Sequence, residues 1–291
     1  MVKKLEELIE KADILIEALP YMREFSNKTV VIKYGGNAMV NKELMASVLE
    51  DVTLLKYVGV NPVIVHGGGP VISKNLEQYE LETNFHKGFR ITNQEVMEVV
   101  EKALIGEVNT NLVSLANSLG IKAVGLSGKD NQMILAKKCE MDCDVELGYV
   151  GEVDQVDPTL LNSMIASDYV PIVAPVGTDE EGNSYNINAD LVAGEIAAAL
   201  EAEKLMLLTN TEGILEDPED KSTLISRLKI AEAKQKIEDE IIVGGMIPKV
   251  NACITALEKD VNRTHILDGR LDHSILLEIF TDKGIGTMIT K

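Results

Sequence analysis

Near its start the chain places Leu5, Leu8, Ile9, Ala12, Leu15, Ile16 and Leu19 at helical spacing, with Glu7, Glu10, Lys11, Asp13 and Glu17 around the rest of the cylinder. An amphipathic helix is predicted there. Pro20 should end it, because a proline inside a helix lacks an N–H and crowds the carbonyl four residues back. The apolar stripe either packs on the chain's own core or is exchanged between subunits. Beyond it, short β-branched runs alternate with longer helical stretches. Strands are predicted at Thr29–Tyr34, Pro62–Val65, Lys122–Leu126, Val170–Val176, Lys204–Thr209 and Thr287–Thr290. Helices are predicted at Lys42–Tyr57, Val71–Glu80, Gln94–Leu119, Pro158–Ala166, Ala189–Leu200 and Ile247–Lys259. This alternation predicts an α/β fold, a three-layer αβα sandwich with a mainly parallel central sheet. Gly148–Val156 alternates apolar and polar residues near glycines and reads as a small β-ribbon on that scaffold. Ligands of such sheets bind beyond the carboxyl ends of the strands, so the residues there carry the most information.

Composition narrows the partners. The 291 residues are 45% hydrophobic, enough for a sizeable core, and the formal net charge is -19. Such a field repels nucleic-acid backbones and anionic lipid surfaces. A polyanionic ligand must therefore meet a local cluster of cations and N–H donors. Three cysteines, Cys139, Cys143 and Cys253, in a chain long enough to fold without staples suit a reducing cytoplasm. Cys139 and Cys143 with Asp142 and Asp144 make only a poor metal motif, since no second Cys or His pair follows, and no protein-held metal is expected. No apolar run approaches the roughly 20 residues of a membrane span.

Two predicted strands end in glycines: VVIKYGG, with Gly35 and Gly36, and VIVHGGGP, with Gly67, Gly68, Gly69 and Pro70. Glycines there let backbone N–H groups approach an anion, and Pro70 suits the first turn of a helix whose positive end faces it. Tight packing alone explains many such turns. Neither loop matches G-x-x-x-x-G-K-[ST] or G-x-G-x-x-G. Lys33 sits inside an apolar strand, where an unpaired charge is costly; it either snorkels at the strand end or points at a ligand or a carboxylate. Lys249, in GGMIPK with Gly245 and Met246, opens a late helix and again suits phosphate. In YNINADL, Asn186, Asn188 and Asp190 exceed what one helix cap needs, so a polar site is expected there.

The segments VVIKYGGNAM, VIVHGGGP, FHKGFRIT, AVGLSGKD, YNINAD and GGMIPKV, in this order and spacing, resemble the N-acetylglutamate kinases of the amino-acid kinase family. The likeness covers Lys28 to Lys291. It implies a substrate lobe over 26–185 and an ATP lobe over 186–291, behind a helix over 1–25. By matching motifs, Lys33 and Lys249 flank the transferred phosphoryl group and Asp190 orients both. Gly35 and Gly36 offer N–H donors to ATP, Gly68 and Gly69 hold acetylglutamate, and Arg90 and Asn186 grip its α-carboxylate. Thr209, Asn210, Gly213, Ile214 and Leu215, with Gly245 and Met246, match the ATP-binding segments. The family more often has aspartate where Asn210 stands, so no metal or charge role is expected at that position. Mg²⁺ is expected with ATP, held mainly by the nucleotide phosphates. His66 is expected to be structural, because an ionised carboxylate attacking phosphorus has no proton to move.

The first helix, together with His273, Glu278, Gly284 and Gly286 in HSILLEIFTDKGIGT, resembles the arginine-inhibited, hexameric branch of that family. That resemblance implies a ring of three dimers linked by the helices, with arginine bound beside them. Two other readings stand beside it: a related kinase acting on acetylaminoadipate, aspartate, carbamate or a nucleotide, and a non-catalytic arginine-sensing scaffold.

Overall fold

The computed structural model describes residues 2–36, 41–140, 145–281 and 284–291, and within the first helix the side chains of 9 and of 12 onward. Cys143, Asp142 and Asp144 lie outside the described residues, as do three positions of the first glycine motif. The chain runs α1 (Val2–Phe25), β1 (Thr29–Tyr34), α2 (Lys42–Tyr57), β2 (Asn61–His66) and α3 (Gly69–Gln78). A hairpin of β3 (Phe85–His86) and β4 (Phe89–Arg90) precedes α4 (Gln94–Glu101), a π-helical stretch over Lys102–Asn109, and α5 (Thr110–Ser118). Next come β5 (Ala123–Ser127), β6 (Ile134–Lys138), β7 (Val150–Val156), α6 (Thr159–Ala166), β8 (Val170–Ala174), β9 (Val176–Thr178) and β10 (Ser184–Ile187). The remainder is α7 (Ala189–Ala199), β11 (Lys204–Thr209), β12 (Arg227–Lys229), α8 (Ile230–Glu238), α9 (Met246–Glu258), β13 (Arg263–Asp268), α10 (Ser274–Phe280) and β14 (Thr287–Thr290).

Eight strands form one sheet in the order β12-β14-β13-β11-β1-β2-β8-β5, parallel except for the β13–β14 pair. The pleat divides the core. Val31, Val63, Val65, Leu205, Leu207 and Ile266 face the layer that contains α7 and α9. Val30, Ile32, Ile64, Met206, Leu208 and Leu267 face α2, α5 and α10. Side chains two apart share a face, so Lys33 follows Val31 toward α7 and α9. The three-layer expectation is met.

Three local expectations are corrected. α1 continues through Pro20 to Phe25; Pro20 and Ile16, whose carbonyl loses its helical donor, are both exposed, so solvent can satisfy that carbonyl. The run predicted as one strand over Val170–Val176 divides at Pro175, which cannot donate to a ladder. Its second part, β9, joins β6, β7 and β10 in a small closed barrel that also contains the predicted ribbon. β13, α8 and α10 are present although no element was predicted at those positions. Among the described side chains, the stripe of α1 does not pack on the chain's own core: Ile9, Ile14 and Leu19 are exposed, with Leu15 65% and Ile16 67% exposed. No helix among the described residues is long and apolar enough to cross a membrane.

α7 and α9 pack closely at Gly194, where a Cβ would lie 2.8 Å from the Ala252 carbonyl oxygen. Gly194 is one turn beyond Asp190, and Ala252 one turn beyond Lys249. Alanine is the better helix former by about 1 kcal/mol, but a backbone oxygen cannot rotate away from it. Gly194→Ala should therefore lower unfolding stability by about 1–2 kcal/mol in urea denaturation; a stabilised variant would show that the two helices separate freely.

Candidate active site

The carboxyl ends of β1 and β2 lie side by side, with Lys33 paired to Val65 and Tyr34 to His66. Lys33 Nζ is 2.9 Å from Asp190 Oδ1, and Lys249 Nζ donates to Asp190 Oδ2 at 2.7 Å. One carboxylate thus joins a strand, the start of α7 and the first turn of α9. Asn188 supplies the cap of α7, its Oδ1 accepting from the Asp190 and Leu191 N–H groups at 2.8 and 3.3 Å. That fixes the turn carrying Asp190 and leaves Asn186 for another task.

Lys33 and Asp190 are buried and Lys249 is half-buried. Burial pushes the Asp190 carboxyl up, but the two ammonium groups outweigh it and hold the pKa below the ordinary value. Burial also depresses Lys33, against the opposing pull of Asp190. Two ammonium groups and one carboxylate leave one net positive charge. An anion is what such a site lacks. Both Asp190 oxygens face ammonium groups, so this carboxylate is not free to ligate a cation. Among the described residues, no group of three or more His, Cys, Asp or Glu side chains is arranged so that it could hold a metal ion. A Mg²⁺ ion here fits only as a companion of phosphate oxygens.

Two cavities flank the cluster. One of about 270 Å³ is lined by Lys33, Gly36, Gly68, Gly69, Arg90, Asn186 and Asp190, among others. Arg90 is held by three acceptors: Gly69 O at 3.2 Å, Ser73 Oγ at 2.9 Å and Thr83 Oγ1 at 3.3 Å. Its guanidinium also lies 4.7 Å from the centre of the Phe85 ring. Asn186 Nδ2 donates to Thr92 Oγ1 at 3.4 Å, and Thr92 Oγ1 to Arg90 O at 2.7 Å, so Thr92 joins the two predicted residues. The other cavity, about 420 Å³, is lined by Thr209, Asn210, Gly213, Ile214, Leu215, Gly245, Met246 and Lys249. Gly35 lines neither; it packs against Lys33, whose Nζ a Cβ there would meet at 2.7 Å. Gly36 opens on the first cavity, not the second.

A third cavity, also about 420 Å³, lies between α1, α10 and the β13–β14 edge. Glu278, Gly284 and Gly286 line it. His273 does not: it precedes α10 and bonds to the buried Asp51 of α2 at 2.6 Å. The histidine in the cavity is His265, and Tyr21, Glu24, Lys204 and Arg263 join it. Lys204 bore a legible signal, a lysine opening an apolar strand as unpaired by pattern as Lys33. Glu278 accepts from Lys204 at 3.0 Å and from the Ile285 N–H at 3.0 Å, and pairs with His265 at 2.7 Å. Ser73, Thr83 and Phe85 gave no sequence signal, since their role comes from surrounding Arg90.

A family model described as the Amino acid kinase family matches residues 28–268. The chain belongs to the amino acid kinase family. It is 53% identical over 288 residues to an acetylglutamate kinase of Moorella thermoacetica, covering 97% of each chain. A second acetylglutamate kinase, of Desulforamulus reducens, is 55% identical over 282 residues, covering 97% of this chain and 98% of that one. Among solved structures, an N-acetylglutamate synthase from Neisseria gonorrhoeae complexed with coenzyme A and N-acetyl-glutamate superposes with TM-score 0.85 at 25% identity. That match covers 96% of this chain and 63% of the longer synthase. A carbamate kinase from Giardia lamblia bound to AMP-PNP, 15% identical over 91% of this chain and 99% of that one with TM-score 0.65, shares the fold. This member of the amino acid kinase family is thus an enzyme, a kinase of the transferase class.

Burial pushes the Glu278 carboxyl up, yet His265 and Lys204 bring it down to about 2. A folded pKa below the ordinary 4.5 means the contribution is complete above that pH and is lost as pH falls toward 2. The shift corresponds to about 3 kcal/mol. Glu278→Gln should remove that part of the acid dependence and, by leaving Lys204 buried and unpaired, cost about 3 kcal/mol at pH 7. Denaturation curves across pH 2 to 7 measure both; an unaltered acid slope would contradict the pairing.

Proposed function

We propose that this enzyme uses ATP to phosphorylate the side-chain carboxylate of N-acetyl-L-glutamate, giving N-acetyl-L-glutamyl 5-phosphate for arginine biosynthesis. The observation that carries the reading is Asp190 holding Lys33 and Lys249 between two cavities. In this reading the smaller cavity takes the amino acid, with Gly68, Gly69, Arg90 and Asn186. The larger one takes ATP, with Thr209, Asn210, Gly213, Ile214, Leu215, Gly245 and Met246. The lobes 26–185 and 186–291 are the corresponding division of the chain, meeting at Asp190. Near-complete coverage of acetylglutamate kinases at more than half identity supports this substrate over carbamate, aspartate or acetylaminoadipate.

The acceptor oxygen is ionised at neutral pH and needs no general base. As it approaches phosphorus, charge spreads over the transferred group, and the two lysines stabilise it from either side. Asp190 sets their separation and takes no proton. Mg²⁺ bound to the nucleotide phosphates would neutralise part of their charge. Arg90, already held by Ser73, Thr83 and Gly69, is preorganised to meet a planar carboxylate with two N–H groups.

Arginine inhibition belongs to the same proposal. The cavity beside α1 holds carboxylates that suit a guanidinium and cations that suit an α-carboxylate, with the exposed stripe of α1 next to it. Paired first helices would join dimers into a hexamer, and arginine bound beside them would bias the ring toward a less active geometry. The enzyme is proposed to work in the cytoplasm.

Hydroxylamine trapping of the acyl phosphate formed from acetylglutamate and MgATP tests the reaction. Lys33→Ala and Lys249→Ala should each lower kcat by about a hundredfold or more, and full turnover in both would end the assignment. Arg90→Lys should raise KM for the amino acid far more than for ATP; equal effects would place Arg90 elsewhere. Removing residues 1–25 should leave an active dimer with weakened response to arginine, as read by light scattering and inhibition curves. A hexamer surviving that truncation would reject the role of α1.

A further inference from the structure

The pleat that turns Lys33 toward α7 turns His66, at the end of β2, to the opposite face with Ile64. There it is fully buried, and it plays no part in the chemistry above. His66 Nδ1 is 2.8 Å from Gly67 O, and His66 Nε2 is 3.0 Å from Asn109 Nδ2. The same Asn109 nitrogen lies 2.8 Å from Ile172 O, in the neighbouring strand β8.

These contacts have one consistent proton assignment. Ile172 O can only accept, so the Asn109 amide must present its NH₂ group there. The second hydrogen of that group then goes to Nε2, at 3.0 Å the nearer of its two remaining partners (Leu126 O is at 3.5 Å), and Nε2 must accept. A neutral imidazole accepting at Nε2 carries its proton on Nδ1, and Gly67 O is the acceptor waiting for it. Donation thus starts at Asn109 and runs two ways, to the Ile172 carbonyl of β8 and through His66 to the Gly67 carbonyl of the glycine loop. Burial lowers the His66 pKa to about 4, which keeps the ring neutral at physiological pH.

We propose that His66 and Asn109 are positioning residues for the amino-acid side of the active site, aiming the N–H groups of Gly68 and Gly69 by fixing the Gly67 peptide. Gly67 is held at both ends, its N–H by Tyr34 O at 2.8 Å and its carbonyl by His66. Only the peptides beyond it remain to face a ligand. The π-helical stretch supplies the second half of the device. Its wider turn lets Leu104 pack under Gly68, where a Cβ would collide with the leucine, while Asn109, five residues on, reaches His66. Gly125 clears the space Asn109 occupies, since a Cβ there would overlap its Oδ1. The loop is thus gripped from below by Leu104 and from behind by the hydrogen-bonded pair.

This proposal rests on the reading that Gly68 and Gly69 face acetylglutamate, and the test separates the two. In full-length protein labelled with ¹⁵N-histidine and ¹⁵N-glycine, NMR should show His66 protonated at Nδ1 and bare at Nε2 from pH 6 to 8. An Nε2–H tautomer or an imidazolium would overturn the proposal without touching the substrate assignment. Asn109→Asp replaces the donor facing Nε2 with an acceptor and should draw the proton to Nε2, releasing Gly67 O and shifting the Gly68 and Gly69 amide resonances. His66→Asn, whose amide can stand in for Nδ1–H, is the milder companion in case the first variant does not fold. His66→Leu, which keeps bulk without a donor, should raise KM for acetylglutamate about tenfold, with KM for ATP within about twofold and partial recovery in His66→Asn. Unmoved glycine resonances, or equal changes in both KM values in folded variants, would defeat the proposal. Absence of acetylglutamate turnover in the parent protein would instead strike at the substrate assignment, leaving tautomer and amide shifts to judge the loop.

Discussion

A single buried carboxylate shared by two ammonium groups determines how this structure is assembled. Two buried charges and a third that is half-buried are tolerable only when they face one another closely. Asp190 satisfies that demand from the first turn of α7, Lys33 from the end of a central strand, and Lys249 from the first turn of α9. Each lies where an element begins or ends. The sheet, the Asn188 cap and the Gly194 seam all act on this one distance set. A shift of any element would leave a charge without its counterpart.

Around that point the fold separates binding from charge compensation. On one side, a glycine loop and a guanidinium fixed by three acceptors form a small polar cavity. On the other, β11 and α9 form a larger and more apolar one. The lysines stand at the boundary. Chemistry between two ligands needs them to meet head to head, and cavities opening on opposite flanks of one cluster favour that encounter.

Much of this was legible because misplaced residues advertise themselves. Lys33 inside an apolar strand, and Asn186 and Asp190 in excess of the one cap that α7 needs, pointed to a polar site there. Lys204 carried the same signal as Lys33, yet its partner Glu278 is 74 positions away, beyond the reach of periodicity. His273 entered only through the likeness of HSILLEIFTDKGIGT to a family motif. His265 gave no signal, since its place beside Glu278 depends on strand order. Pro20 misled because the rule for proline assumes a carbonyl with nowhere to turn; on an exposed face water serves. The π-helical widening over Lys102–Asn109 left no periodic trace, as apolar residues continue through it at spacings an ordinary helix also accepts.

The cationic cluster sits in a molecule of formal charge -19. A nucleotide approaching from afar therefore climbs a repulsive potential before it falls into an attractive one. Salt screens the outer field over about 10 Å, whereas the enclosed lysines are sheltered from mobile ions. Moderate ionic strength should consequently speed capture of the polyanion while barely altering how firmly it is held, the reverse of what an exposed basic patch would do.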